Sequence, residues 1–216
     1  MNSKKIVILT EPSSWILPHA RSLSEKIFGL GYECKIVFSA DEIENSWICF
    51  ILGFTKLLSD SELEYCTHNL VVHESDLPQG KGFAPMAWQI LEGSDEITFT
   101  LFEASGGADS GRIWLKKRIK LAGTELCSEW RNIQGNVTES MCIDALTNAC
   151  HINPTDQPEG GSFYKRRTPS DSEIDVTKTI ASQFELLRVV DNERYPAFFF
   201  YRGKKYKLKI EEFSDE

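Results

Sequence analysis

The stretch KKIVILTEPSSWILPHARSLSEKIFGLGYECKIVF, residues 4–38, decides the fold. Its first apolar run ends at Leu9 in the polar loop TEPSS. Leu17, Leu23, Ile27 and Leu30 then recur at helical spacing as far as Gly31, and a second strand-like run fills 33–38. Two short strands separated by a helix-length segment need a crossover connection, the usual join between parallel neighbours. Further strand-like runs at 47–54 and 69–73 extend the series. The first hundred residues therefore predict an α/β fold, an open, mainly parallel sheet with helices on both faces in a Rossmann-like arrangement. Ligands of such sheets gather at the carboxyl ends of the strands. Ser13 and Ser14, just before the first helix, are read as its N-cap.

Working outward, residues 85–91 read as a helix and 97–103 and 112–120 as alternating strands, joined by the loop ASGGADSG. Gly106 and Gly107 in that loop permit backbone turns closed to other residues, so the loop can approach a ligand closely. A long helix is expected over 125–150, then the polar stretch HINPTDQPEGGSFYKRRTPSD with its three prolines. A helix over 173–190 and a hairpin, AFFFYRGKKYKLKI turning at Gly203, complete the chain. The expected division is a catalytic domain over 1–150 and a C-terminal extension of loop, helix and hairpin over 151–216. Phe198, Phe199, Phe200 and Tyr201 make the hairpin too apolar to stand alone, so it must pack on the core or on a second subunit, as in a homodimer.

A chain of 216 residues, 41% hydrophobic, can bury one sizeable core with a small appendage. Its net charge of −8 speaks against nucleic acid as a partner, because binding a phosphate backbone needs clustered Lys and Arg. The apolar run at 6–9 is too short for a signal segment, and nowhere do about 18 apolar residues run together, which predicts a cytoplasmic protein away from the membrane. Six cysteines without a CxxC pair are expected to be free, mostly buried thiols, and no metal site is expected.

At LVVHESDLPQGKGFAPMAWQILEG, residues 70–93, and TLFEASGGADSGRI, residues 100–113, the chain resembles the 10-formyltetrahydrofolate-dependent formyltransferases. Their shared pattern is NxHxSxLPxxRGxxPxxW, then Thr, then DxG. His73, Ser75, Leu77, Pro78, Gly82, Pro85 and Trp88 fall in register, Lys81 stands where the family usually has Arg, and Asp109 follows Thr100 by nine residues. ILGFTKLLS, residues 51–59, resembles the segment that lines the family's pterin pocket. RRTPSDSEID and RYPAFFFYRGKKYKLKI, residues 166–175 and 194–210, are similar to segments of the amino-sugar N-formyltransferase branch. One position departs from the pattern: the asparagine two residues before the histidine is Val71 here. Asn69 shares that strand face but lies about 13 Å from His73 at ~3.3 Å per residue, so it cannot substitute. A backbone N–H of the 74–81 loop is one replacement for the missing oxyanion donor.

The resemblance implies transfer of a formyl group from 10-formyltetrahydrofolate, as cosubstrate, to the amine of an amino sugar. The sugar would be nucleotide-linked or belong to a nonulosonic-acid route such as that of pseudaminic acid, in surface-glycan biosynthesis. A purine-pathway ribonucleotide formyltransferase and a folate-binding homologue without turnover remain the alternatives. His73 and Asp109 take the catalytic roles. Lys56, Leu57 and Leu58 would form one wall of the folate pocket, and Ser105, Gly106 and Ala108 the other. Ser75, Lys81, Gly82, Tyr164, Arg166 and Arg167 fall on the acceptor side, with the basic triplet at 165–167 suited to a phosphate or carboxylate. Taken alone, a histidine before a loop is more often structural than catalytic, and an aspartate in a Gly-rich loop more often makes a turn. The motif register reverses both.

Overall fold

The structure, a computed structural model, describes residues 4–213. Strands β1 (Lys5–Leu9), β2 (Glu33–Val37), β3 (Ser46–Ile51) and β4 (Cys66–His73) are mutually parallel, with β1 between β2 and β3 and β4 on the far side of β3. Strand β6 (Glu96–Glu103) runs against β4, and β7 (Ile113–Lys120) runs against β6, so five of the six strands share one direction. The two-residue strand β5 (Lys81–Gly82) lies outside this sheet and pairs with β8 (Phe163–Tyr164), stitching the C-terminal part to the loop after β4.

Helical cover is unequal on the two faces. Helices α1 (Leu17–Gly29), α3 (Pro85–Leu91) and α4 (Cys127–Asn148) pack Leu23, Ile27, Ile90, Trp130 and Met141 on the face that carries Ile6, Ile8, Phe50, Leu70 and Phe99. The opposite face holds Leu9, Cys49 and Ile51. Instead of a long helix it is covered by Ala40, Ile43, Phe54, Leu58 and Ala104, from a one-turn 3-10 helix and loops; helix α2 (Asp60–Leu63) buries no residue. Helices on both faces were expected; the thinner cover leaves apolar strand surface within reach of a flat ligand.

Three further expectations change in detail. Helix α1 starts at Leu17 with Ile16 at its N-cap and no side-chain cap bond, so neither serine caps it; the Ser14 hydroxyl instead points at the Gly53 carbonyl. The helix expected over 173–190 reduces to α5 (Phe184–Val189). Upstream of it, Asp175 accepts from the N–H and hydroxyl of Thr177, and Gln183 bonds the Asp175 backbone, so side chains satisfy groups a helix would have used. The hairpin of β9 (Ala197–Tyr201) and β10 (Lys204–Leu208) buries Ala197 beside Leu187 and Val190 and also buries Phe198, while Phe200 and Tyr201 stay half exposed.

Two ionic clusters tie helices together. On α4, Glu139 accepts from His19 at 2.7 Å, Ser22 at 2.7 Å and Lys26 at 2.6 Å on α1. Arg188 is 2% exposed and is held by the Glu125 carbonyl and carboxylate and by Glu185. Cys49, Cys66, Cys127 and Cys142 are buried free thiols, as expected.

Candidate active site

A cavity of about 1080 Å³ wraps around the carboxyl end of β4. Alternation along the strand divides it. Val71 and His73 look toward the thinly covered face, with Phe54, Leu57, Leu58, Phe102 and Ala104. Val72 and Glu74 look toward α4, with Trp130, Arg131, Gln134 and Thr138. The floor between the two halves is His73.

His73 is buried, at 6% exposure. Its Nε2 lies 2.8 Å from the Gly80 carbonyl oxygen. A carbonyl only accepts, so Nε2 carries the hydrogen, and in the neutral ring Nδ1 is left as the bare, basic nitrogen. Nδ1 stands 3.8 Å from Asp109 Oδ1. That separation leaves room for a proton to arrive at Nδ1, and the carboxylate favours the imidazolium that results.

Asp109 is held from two sides. Its Oδ2 accepts the Gly82 N–H at 2.7 Å, and its carbonyl accepts Gln157 Nε2 at 2.9 Å, while the same amide reaches the Gly111 carbonyl at 2.8 Å. Its backbone has φ of 49°, a left-handed conformation that costs an L-residue about 1–2 kcal/mol unless surroundings enforce it. Gly106 and Gly107, expected to make the unusual turn, have ordinary negative or extended φ; the left-handed residue is the aspartate itself. The glycine this loop requires is Gly111, where a Cβ would sit 1.5 Å from the Glu103 carbonyl oxygen. At Gly82 two demands coincide, φ of +98° and 2.4 Å from a Cβ to the Tyr164 carbonyl.

The loop after β4 is fixed by its own backbone. Thr100, fully buried, donates its hydroxyl to the Ser75 carbonyl at 2.7 Å, and Lys116 donates to Asp76 and to the Leu77 carbonyl. Lys116 thus pins this loop. The N–H groups of Gln79, Gly80, Lys81 and Gly82 are all donated within the protein, to Asp76, Ser162 Oγ, the Ser162 carbonyl and Asp109 respectively. Those four are not free to serve an oxyanion. Asn69 donates its amide to the Leu63 carbonyl, away from His73, as the strand spacing required.

Of the residues singled out in the sequence, Lys56, Leu57, Leu58, His73, Gly82, Ser105, Ala108, Asp109, Arg166 and Arg167 line this one cavity. Gly106, Ser75, Lys81 and Tyr164 do not. Ser75 is buried with its hydroxyl unpartnered. Tyr164 donates to Glu92 at 2.7 Å and stacks on Trp88, and burial together with that carboxylate pushes its phenol up to about 12, so its hydroxyl stays a committed donor. Sequence reading missed Gln157, which sits in the polar stretch with no motif to mark it, and Glu74, which occupies a variable position of the motif. Burial pushes the Glu74 carboxyl up from its ordinary range; the His73 ring opposes this and Asp109 adds to it.

Among the described residues no group of His, Cys, Asp and Glu could hold a metal ion, and no helix is long and apolar enough to cross a membrane. A mainly parallel sheet thus presents a histidine at the carboxyl end of its fourth strand, beside a carboxylate from the β6–β7 loop. Residues 34–140 match the sequence profile described as Formyl transferase, which identifies that stretch as a formyl transferase domain. The methionyl-tRNA formyltransferase of Ehrlichia ruminantium (strain Gardel) is 28% identical over 138 residues, which is 63% of this chain and 44% of that protein. The matched segment is therefore under half the length of that curated relative. Among solved structures, methionyl-tRNA formyltransferase from Clostridium thermocellum superposes with a TM-score of 0.80 at 22% identity, covering 98% of this chain and 94% of that one. A sugar N-formyltransferase from Shewanella sp FDAARGOS_354 superposes with a TM-score of 0.69 at 12% identity, covering 99% of each chain. At these identities the structures share the fold.

Proposed function

We propose that this protein transfers a formyl group from 10-formyltetrahydrofolate to the primary amine of an amino sugar. The observation that carries the formyl-transfer reading is the His73 ring, which is fixed by the Gly80 carbonyl so that its basic nitrogen faces Asp109 and the cavity. An amine attacking a formyl carbon must lose a proton that the departing folate nitrogen must gain. His73 Nδ1 takes that proton and hands it on, while Asp109 steadies the intervening imidazolium.

The thin-face half of the cavity fits a pterin. Phe54, Leu57, Leu58 and Phe102 offer apolar walls, and residues 104–109 offer backbone groups for a heterocycle's polar edge. HypX from Aquifex aeolicus, a solved structure of the same fold, holds tetrahydrofolic acid. Lys56, Leu57, Leu58, Ser105 and Ala108 are the residues assigned to the cosubstrate.

The acceptor takes the α4 half. Arg166, Arg167, Arg131 and Arg194 line the cavity, of which Arg131 is paired with Asp191 at 2.6 Å. The Arg167 Nε is buried without a partner, a donor suited to a phosphate or carboxylate on the acceptor. Residues 1–150 are assigned as the catalytic domain and 151–216 as the extension that supplies this rim. An acidic chain of net charge −8 favours a small acceptor over tRNA. The curated relatives, being methionyl-tRNA enzymes, keep that second reading in the test.

The test incubates the protein with 10-formyltetrahydrofolate and a panel of acceptors: nucleotide-linked amino sugars, free amino sugars of the nonulosonic-acid type, glycinamide ribonucleotide and methionyl-tRNA. Mass spectrometry reads the formylated product. Formylation of an amino sugar alone is expected; formylation of methionyl-tRNA or of the ribonucleotide would replace the acceptor assignment.

A further inference from the structure

We propose that Glu74 is a second proton-handling residue, the base that strips the acceptor's ammonium to a neutral amine before His73 acts. The inference rests on the formyl-transfer reading above. It starts from charge: a primary alkylamine reaches the protein as an ammonium, which has no lone pair and cannot attack a carbonyl. Two protons must therefore leave the nitrogen. His73 has one basic nitrogen, so it accounts for one of them.

Glu74 follows His73 directly, in the bend just past the end of β4, and its carboxyl faces Gln134 of α4 in the same cavity. Gln89 on α3 fixes its backbone by donating to the Glu74 carbonyl at 2.6 Å. The ionisable groups acting on its carboxyl are His73 and Asp109, and no lysine or arginine is among them. Arg131 lines the same half of the cavity but pairs with Asp191 at 2.6 Å. Around the carboxyl, Gln134 and Thr138 stand one turn apart on a face of α4 otherwise given to Trp130, Val137 and Met141, and the Thr138 hydroxyl is buried without a hydrogen-bond partner. A hydroxyl left unsatisfied on a core-facing helix, beside a glutamine that already faces the Glu74 carboxyl, marks a place that a polar ligand completes. Burial raises the proton affinity of the carboxyl toward that of the ammonium it would meet, which is the condition for passing a proton at modest cost.

The proton count closes. The ammonium gives one proton to the Glu74 carboxylate, leaving a neutral amine and a carboxylic acid. The amine's lone pair forms the new C–N bond, its second proton passes by way of His73 to the folate nitrogen as the old C–N bond breaks, and the products are a formamide and tetrahydrofolate. Glu74 releases its proton to solvent when the product leaves. No oxidant, reductant or metal enters.

The experiment compares two small nucleophiles with full-length wild-type protein and Glu74→Gln, each with 10-formyltetrahydrofolate at neutral pH. Methylamine is an ammonium under these conditions, whereas hydroxylamine is uncharged. Neither probe depends on the sugar assignment. Glu74→Gln is expected to slow transfer to methylamine about a hundredfold or more, the usual contribution of a general base, and transfer to hydroxylamine by no more than about threefold. Equal losses on both nucleophiles would overturn the proposal, as would a wild-type protein that formylates hydroxylamine but not methylamine. A wild-type protein inert toward both would overturn the formyl-transfer reading as well. Correct discrimination between the probes combined with no transfer to any amino sugar would overturn the sugar assignment and leave Glu74 in place.

Discussion

Replacing Gln157 by leucine removes one amide and with it the bonds of 2.9 Å and 2.8 Å to the carbonyls of Asp109 and Gly111. Each such bond contributes about 0.5–1.5 kcal/mol, so the variant should lose about 2 kcal/mol. For a domain of this size that is a fall of roughly 4–8 °C in Tm. The larger consequence is geometric. Asp109 holds φ of 49° against an intrinsic preference for the right-handed region, and Gln157 is one of the two groups that enforce it, the other being the Gly82 N–H on its carboxylate. Freed of the amide, the loop relaxes and the carboxylate drifts from His73 Nδ1. A displacement of about 1 Å in a catalytic group costs up to a hundredfold in rate, so kcat should fall at least tenfold while the KM for the folate changes little. Steady-state formyl transfer with a saturating acceptor reads both constants, and calorimetry reads the Tm. A variant that melts earlier yet keeps kcat within twofold would refute the reasoning, because Gln157 would then be a staple for the loop with no bearing on Asp109.

Three other outcomes follow from the same geometry. Val71→Asn places an amide donor on the strand face of His73: a gain in rate would mean that an oxyanion there lacks a donor, whereas a loss of about 1–3 kcal/mol in stability without a gain would mean the site is rebuilt around an apolar residue, and an inactive but fully stable variant would contradict both. Gly111→Ala drives a Cβ to 1.5 Å from the Glu103 carbonyl, so the 104–111 loop must move; activity should be lost together with about 1–3 kcal/mol of stability, and a fully active, equally stable variant would show the loop is not fixed there. Glu139→Gln should lower the Tm more at pH 7 than at pH 3: burial alone would raise this carboxyl, yet Lys26, Ser22 and His19 outweigh it and hold the pKa below the ordinary range, so the stabilisation is present above the unfolded value of about 4.3 and is lost as pH falls through the folded one. A constant offset between the two melting curves from pH 7 to pH 3 would contradict that sign.

The parallel strands were legible because β1 to β4 are apolar runs divided by helix-length or turn-rich segments, and such runs have few other ways to be buried. The reversal at β6 is a matter of connection length, which periodicity does not report. Helix α5 was overcalled because Leu186, Leu187, Val189 and Val190 carry helical spacing, while the competing bonds of Asp175 and Gln183 are visible only in three dimensions. At the site, His73 and Asp109 came from motif register, and the structure places them 3.8 Å apart through residues remote in sequence. Gln157 could not have been found that way: its job is to bond two backbone carbonyls, and any loop can deliver an amide to do so. Glu74 was harder to read: it lies in the bend just past the strand, and an acidic side chain after a motif histidine reads as surface charge until a helix is seen to cover it.

On the proposed mechanism His73 carries the transferred proton while other residues build the folate pocket. Rapid-quench single turnover with formyl-labelled 10-formyltetrahydrofolate, alongside folate binding on the same samples, tests it most directly. His73→Ala should bind the folate within about threefold of wild type and transfer the label at least a hundredfold more slowly. A His73→Ala protein that keeps more than half of the wild-type single-turnover rate would contradict the account.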